Sequence, residues 1–194
     1  MSPPRTTRQQ LLVAAQGFCN AFAEQKPLDE ILSHFSNSDD IVAIEHGLQQ
    51  LAPFLGRDFR GHDGIKQYFQ VLSSTLSYEN MRFGNFVVDA ETFKVSVRGE
   101  ARFIWTSTAQ AWDEVFTYVL EFDDHNKVKV YEIWADSGAA YLASKGLLHH
   151  SYRISYYTYV ICNNRYLPIT SCPPTPFTAV VNVVSVMKSS LKFI

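Results

Sequence analysis

The sequence predicts an α+β domain in which three helices pack on one face of a curved, mainly antiparallel sheet and leave a conical cavity between the layers. Two changes of hydrophobic period predict it. Apolar residues recur at helical spacing in three segments before residue 77, and from about residue 80 the period becomes two for four successive runs. The separators of those runs, DAET, STAQ and DDHN, are short and turn-prone, which makes them hairpins of a meander. Runs of helices followed by runs of strands are the pattern of an α+β layer.

The first helix follows Pro3-Pro4. Thr6 with Gln9, or Thr7 with Gln10, offers a capping box, and Leu11, Ala15, Phe18 and Phe22 then form a stripe widened by Leu12 and Cys19. Pro27 ends that run. LDEILSHF gives a short second helix through Leu28, Ile31, Leu32 and Phe35, and SNSDD is a loop. IVAIEHG (41–47) reads as a first strand, and LQQLAPFLGRDFRG after it as irregular. The third helix runs through Ile65, Tyr68, Phe69, Leu72 and Leu76, with Asp63 placed to cap it. The strands of the meander span about 80–89, 93–106, 112–122 and 127–135. After them YEIWADSGAAYL brings a strand to an end at Asp136, and Ser-Gly opens a short helix.

Residues 1–145 form one domain by this reading, and 146–194 an atypical extension. Asp136 is the last acidic residue, and from about Gly146 the text is rich in Tyr, Ser, Val and Pro. SYYTYVIC and TAVVNVVSV read as strands separated by SCPPTPF. The extension is either a weakly ordered appendage or a hairpin over the cavity or a dimer surface.

Composition narrows the function classes. The 194 residues are 46% hydrophobic and 19% charged, enough for a real core. A net charge of −2 with no basic stripe argues against nucleic acid. The apolar runs are too short or too broken for a bilayer span. MSPPRTTRQQ has no apolar signal core, and three cysteines without metal-ligand spacing point to a reducing, cytoplasmic setting. No serine-hydrolase elbow, P-loop or dinucleotide glycine pattern occurs, and no metal-ligand spacing does either.

Several residues are candidates for chemistry. Asp136 closes the final strand in phase with Glu132 and Trp134, and it can equally cap the helix that follows. His46 ends the first strand and titrates near neutrality; Glu45 then points the opposite way. In GRDFRGHDG, Arg57 can hold an oxyanion in bidentate fashion, and Asp63 offers an acid. Asp113 and Glu114 lie on opposite faces of one strand. Glu114 is in phase with Trp112, Phe116 and Tyr118, Asp113 with Val115, Thr117 and Val119, so the period leaves the inward face open. Apolar residues on both faces suggest a covered outer face, as in a dimer. Glu100 and Arg102 read as a surface ion pair, and Trp105, Tyr118 and Trp134 as walls for a bulky apolar ligand.

The order of these segments carries a resemblance. FRGHDGIKQYF opening the third helix, FDDHNKV at the last hairpin and an aspartate closing the last strand resemble the SnoaL-like branch of the NTF2-like fold, over about residues 8–145. LAPFLGRDF, LSYENMRF, KVSVRGEARF, WDEVFTYVLEF and IWADSGAAYLA look like a narrower group, the small fungal isomerases and cyclases of meroterpenoid pathways of the terretonin and austinol type. The resemblance implies a cofactor-independent homodimer. Its cone would hold a polyketide–terpenoid intermediate and rearrange it by acid–base chemistry, through ring expansion, contraction or lactonisation. It also implies a functional aspartate near Asp136 and an acid at Asp63. A dehydratase or epoxide hydrolase of the same fold, and a non-catalytic binding or dimerisation module, are the alternatives.

Overall fold

The computed structural model describes residues 7–148, 159–162 and 165–168. The chain divides into two units, residues 1–148 and 149–194. In the first, α1 (Arg8–Ala23) starts at Thr7, whose side chain accepts from the Gln10 amide while the Gln10 side chain returns to the Thr7 amide. Leu11, Ala15, Phe18, Cys19 and Phe22 bury the predicted stripe. Pro27 precedes the short α2 (Leu28–Leu32).

Strand β1 (Val42–Glu45) is followed by β2 (Asp58–Arg60), a three-residue strand too short to show an alternation in the sequence. Helix α3 (Gly61–Thr75) runs without a linker into β3 (Leu76–Asp89), so the helix ends one residue short of the predicted Leu76 and the strand begins several residues before the predicted start near 80. Then come β4 (Lys94–Trp105), β5 (Gln110–Phe122), β6 (Val128–Trp134) and a fourth helix, α4 (Ser137–Ser144).

The six strands form one sheet in the order β2-β1-β6-β5-β4-β3. All neighbours are antiparallel except β1 and β6, which run parallel, as the connection from the helical half to the meander requires. Two register shifts in β3, after Glu79 and after Gly84, bend the outer strand, since a bulge adds local twist.

One face of β5 settles which side of the sheet is inside. Trp112, Glu114, Phe116, Tyr118, Leu120 and Phe122 are buried, while Val115 on the other face is exposed. Gly99 on β4 lies opposite Phe116, where any Cβ would collide with that ring. The helices cover this inner face, and Phe18, Phe22, Phe69, Tyr118 and Tyr131 meet there edge to face, tilted or, for Phe69 and Tyr131, stacked, ring centroids 4.9–6.4 Å apart.

In the second unit β7 (Tyr159–Cys162) pairs antiparallel with β8 (Arg165–Pro168). That hairpin takes up the end of the SYYTYVIC strand; the TAVVNVVSV strand and SCPPTPF lie outside the described residues.

Candidate active site

A cavity of about 370 Å³ lies between the inner sheet face and the helices. Phe22, Leu28, Ile31, Phe69 and Leu72 line its helical side, and Met81, Phe103, Phe116 and Ile133 its sheet side. Gln25, Ser73 and Ser77, exposed members of the lining, mark the opening, beside Lys26 and Tyr78.

Two carboxyl groups are buried in this apolar wall. Glu45, the last residue of β1, is in register with Ile133 of β6 and continues the buried phase of Ile41 and Ala43. The Tyr68 hydroxyl, carried in by α3, donates to Glu45 Oε2 over 2.8 Å. Burial pushes the Glu45 carboxyl up to about 8, the bond from Tyr68 opposes that rise, and the negative charge of Glu114 adds to it. At neutral pH Glu45 therefore holds its proton.

Glu114, on β5, is the second. Trp112 Nε1 donates to its Oε2 over 2.5 Å, and the Asp136 amide donates to its Oε1. Burial raises its pKa; the Asp136 amide and the Trp112 indole pull it down, and the Asp136 charge raises it again. Both oxygens accept from fixed donors, which favours the ionised form over that of Glu45. The cavity wall thus carries two carboxyls whose surroundings differ, the kind of setting in which acid and base roles can be divided.

Asp136 lines the cavity near its solvent-exposed edge. One of its oxygens accepts from the Ala139 amide over 2.9 Å, so it also caps α4. Both readings of this residue, wall and cap, describe its position. Tyr118 lines the cavity too, hydrogen-bonded to Tyr131; burial holds both phenols well above their ordinary range, so they remain neutral hydroxyls.

The other sequence candidates lie elsewhere. His46 follows Glu45 and takes the opposite parity, so its ring stacks on Trp134 (4.1 Å between centroids, 17° between planes) on the outer face, 3.7 Å from Glu132. Trp134 is 44% exposed there and walls nothing. The α3 helix begins at Gly61 with Arg60 as its N-cap, which leaves Asp63 inside the first turn, exposed, neither capping nor facing the cavity. Arg57 lies over the Phe59 ring at 4.4 Å, away from the lining. Trp105 is buried on the inner face beyond the cavity, beside Phe54, with its indole bonded to Ser107.

Glu45 and Tyr68 are groups that sequence reasoning left out of the site, and Glu114 is one whose face it left undecided. The signal for Glu114 was present, in the aromatic company of Trp112, Phe116 and Tyr118. Glu45 had none, because Val42, Ile44 and His46 form as apolar a phase as Ile41, Ala43 and Glu45.

This layering of helices over a bent sheet has counterparts among solved structures. The fold is NTF2-like. An NTF2-like protein from Burkholderia xenovorans superposes with a TM-score of 0.57 at 19% identity, over 74% of this chain and 99% of its own. The BvnE pinacolase from Penicillium brevicompactum gives 0.53 at 18%, over 72% and 94%. AusH from Aspergillus nidulans gives 0.51 at 21%, over 68% and 86%. No protein-family model and no curated protein matches the sequence. At these identities the likeness speaks for the fold alone. Among the described residues, no helix is long and apolar enough to cross a membrane.

Proposed function

We propose that the chain is an isomerase or cyclase that rearranges a polyketide–terpenoid intermediate by acid–base chemistry in this cavity, drawing only on its own side chains. The observation that carries the reading is the pair of buried carboxyls, Glu45 and Glu114, on the wall of one apolar cavity. The NTF2-like fold shared with a pinacolase is consistent with skeletal rearrangement.

In the proposed cycle the Glu114 carboxylate takes a proton from an acidic carbon or hydroxyl of the substrate. The Glu45 carboxyl gives its proton to the carbonyl oxygen on which charge develops. A deprotonated hydroxyl adds to the protonated lactone carbonyl, and the old acyl C–O bond breaks as the carbonyl re-forms. The departing oxygen takes the proton held by Glu114 and Glu45 recovers its own, so substrate and product are isomers and no water or electron is consumed. Tyr68 is a positioning residue, holding Glu45 through its hydroxyl. Tyr118 offers a neutral hydroxyl to a substrate oxygen, and the surrounding phenyl rings exclude water, which strengthens each of these interactions. A second copy packed on the outer face, where Val115 and Trp134 are exposed, belongs to the same proposal.

The test is exchange of solvent deuterium into the acidic C–H of a panel of 1,3-dicarbonyl lactones and diketones, followed by NMR. The wild-type protein is expected to catalyse exchange, and E45Q and E114Q to lose about a hundredfold or more. Stabilisation of the protein by these compounds with no exchange and no product would make it a binding module instead. With an authentic substrate, uptake of label from ¹⁸O-water into product would make it a hydrolase.

A further inference from the structure

We infer that the cavity takes an uncharged substrate, such as a lactone, ketone, ester or amide, and turns away the carboxylate of the same skeleton. The inference rests on the cavity being the site proposed above, and it names the class of molecule admitted.

Three observations carry it. The ionisable groups of the described lining are acids and phenols, namely Glu45, Glu114, Asp136, Tyr68, Tyr118 and Tyr131, together with Tyr78 at the opening. Lys26 is the cation among them, and it stands between Glu24 (3.3 Å) and Glu30 (3.8 Å), which already answer its charge. The third concerns the start of α4, where free amides would otherwise receive an anion. There the Asp136 amide is given to Glu114 and the Ala139 amide to Asp136. An entering carboxylate thus meets like charge in an apolar setting and finds the Asp136 and Ala139 amides already given, whereas a carbonyl or hydroxyl oxygen brings no charge and bonds the Glu45 proton and the Tyr118 hydroxyl. Like charges at short range in a protein interior repel more strongly than the contacts of one polar group return.

The experiment compares 2-naphthoate with 2-naphthamide and methyl 2-naphthoate, by titration calorimetry on the full chain at neutral pH. The three share one ring system, and the amide matches the acid in polarity without its charge. The amide and ester are expected to bind at least about tenfold more tightly than the carboxylate. The surface variant E24Q/E30Q, which frees Lys26 without touching the cavity wall, is expected to narrow that gap severalfold. Equal or tighter binding of 2-naphthoate would overturn the inference, and so would failure of all three to bind. Preference for the neutral ligands without deuterium exchange on any dicarbonyl would sink the catalytic reading and leave this one standing. Exchange with no preference would do the reverse.

Discussion

Replacing Glu45 with glutamine should make the protein more stable in base and leave it nearly unchanged in acid. Between its ordinary value of 4.5 and its folded value of about 8, the native state holds a proton at Glu45 that the unfolded chain has released. Stability therefore falls as pH rises through that window, by about 1.4 kcal/mol per pH unit, and levels off above the folded value. The total cost in the wild type is about 5 kcal/mol over the window from 4.5 to about 8, a large part of the stability of a domain this size. Glutamine cannot ionise, and its carbonyl oxygen still accepts the Tyr68 hydroxyl, so its own cost is within about 1 kcal/mol. Urea unfolding of both proteins at several pH values gives the difference curve, in which the Glu114 contribution largely cancels. The difference should be near zero at about pH 4.5 and favour E45Q by several kcal/mol at about pH 9. Parallel curves would mean that Glu45 ionises normally and would refute the reasoning.

Three further outcomes follow from the same geometry. In D136N the cap on α4 is kept, so stability should change by only a few tenths of a kcal/mol. Loss of the neighbouring charge lowers the Glu114 pKa, which should move the acid limb of the pH–rate profile to lower pH. H46A should leave turnover within about twofold, since the half-buried ring lies against Trp134 on the outer face, away from the cavity lining. G99A should destabilise by roughly 1–3 kcal/mol and displace the Phe116 ring, read as a lower urea midpoint and weaker binding of the naphthyl amide.

Much of the fold was legible because its elements are long enough to show a period. Leu11 to Phe22 spans about three helical turns and Ile65 to Leu72 about two, and the meander separates cleanly at its turns. The capping box at Thr7 and Gln10 was readable for the same reason, as a local pattern with a local cause. What failed was parity and phase in short pieces. Val42–Glu45 has four residues with apolar members on both sides, so only pairing with Ile133 of β6 tells Glu45 from His46. The three residues of β2 carry no alternation at all. Asp63 misled because Gly61 begins the helix two residues before the residue that suits a cap. Glu114 sat in the right company, and the sheet face it occupies became decidable only once the helices were seen to cover it.

A carboxyl titration by NMR, on protein carrying ¹³C-labelled glutamate side chains, tests the central claim most directly. One resonance should titrate near 8 and vanish in E45Q, and a second, lost in E114Q, should titrate above the ordinary 4.5. If every glutamate of the folded protein is instead ionised by about pH 5, the cavity holds no proton to give, and the acid–base account fails.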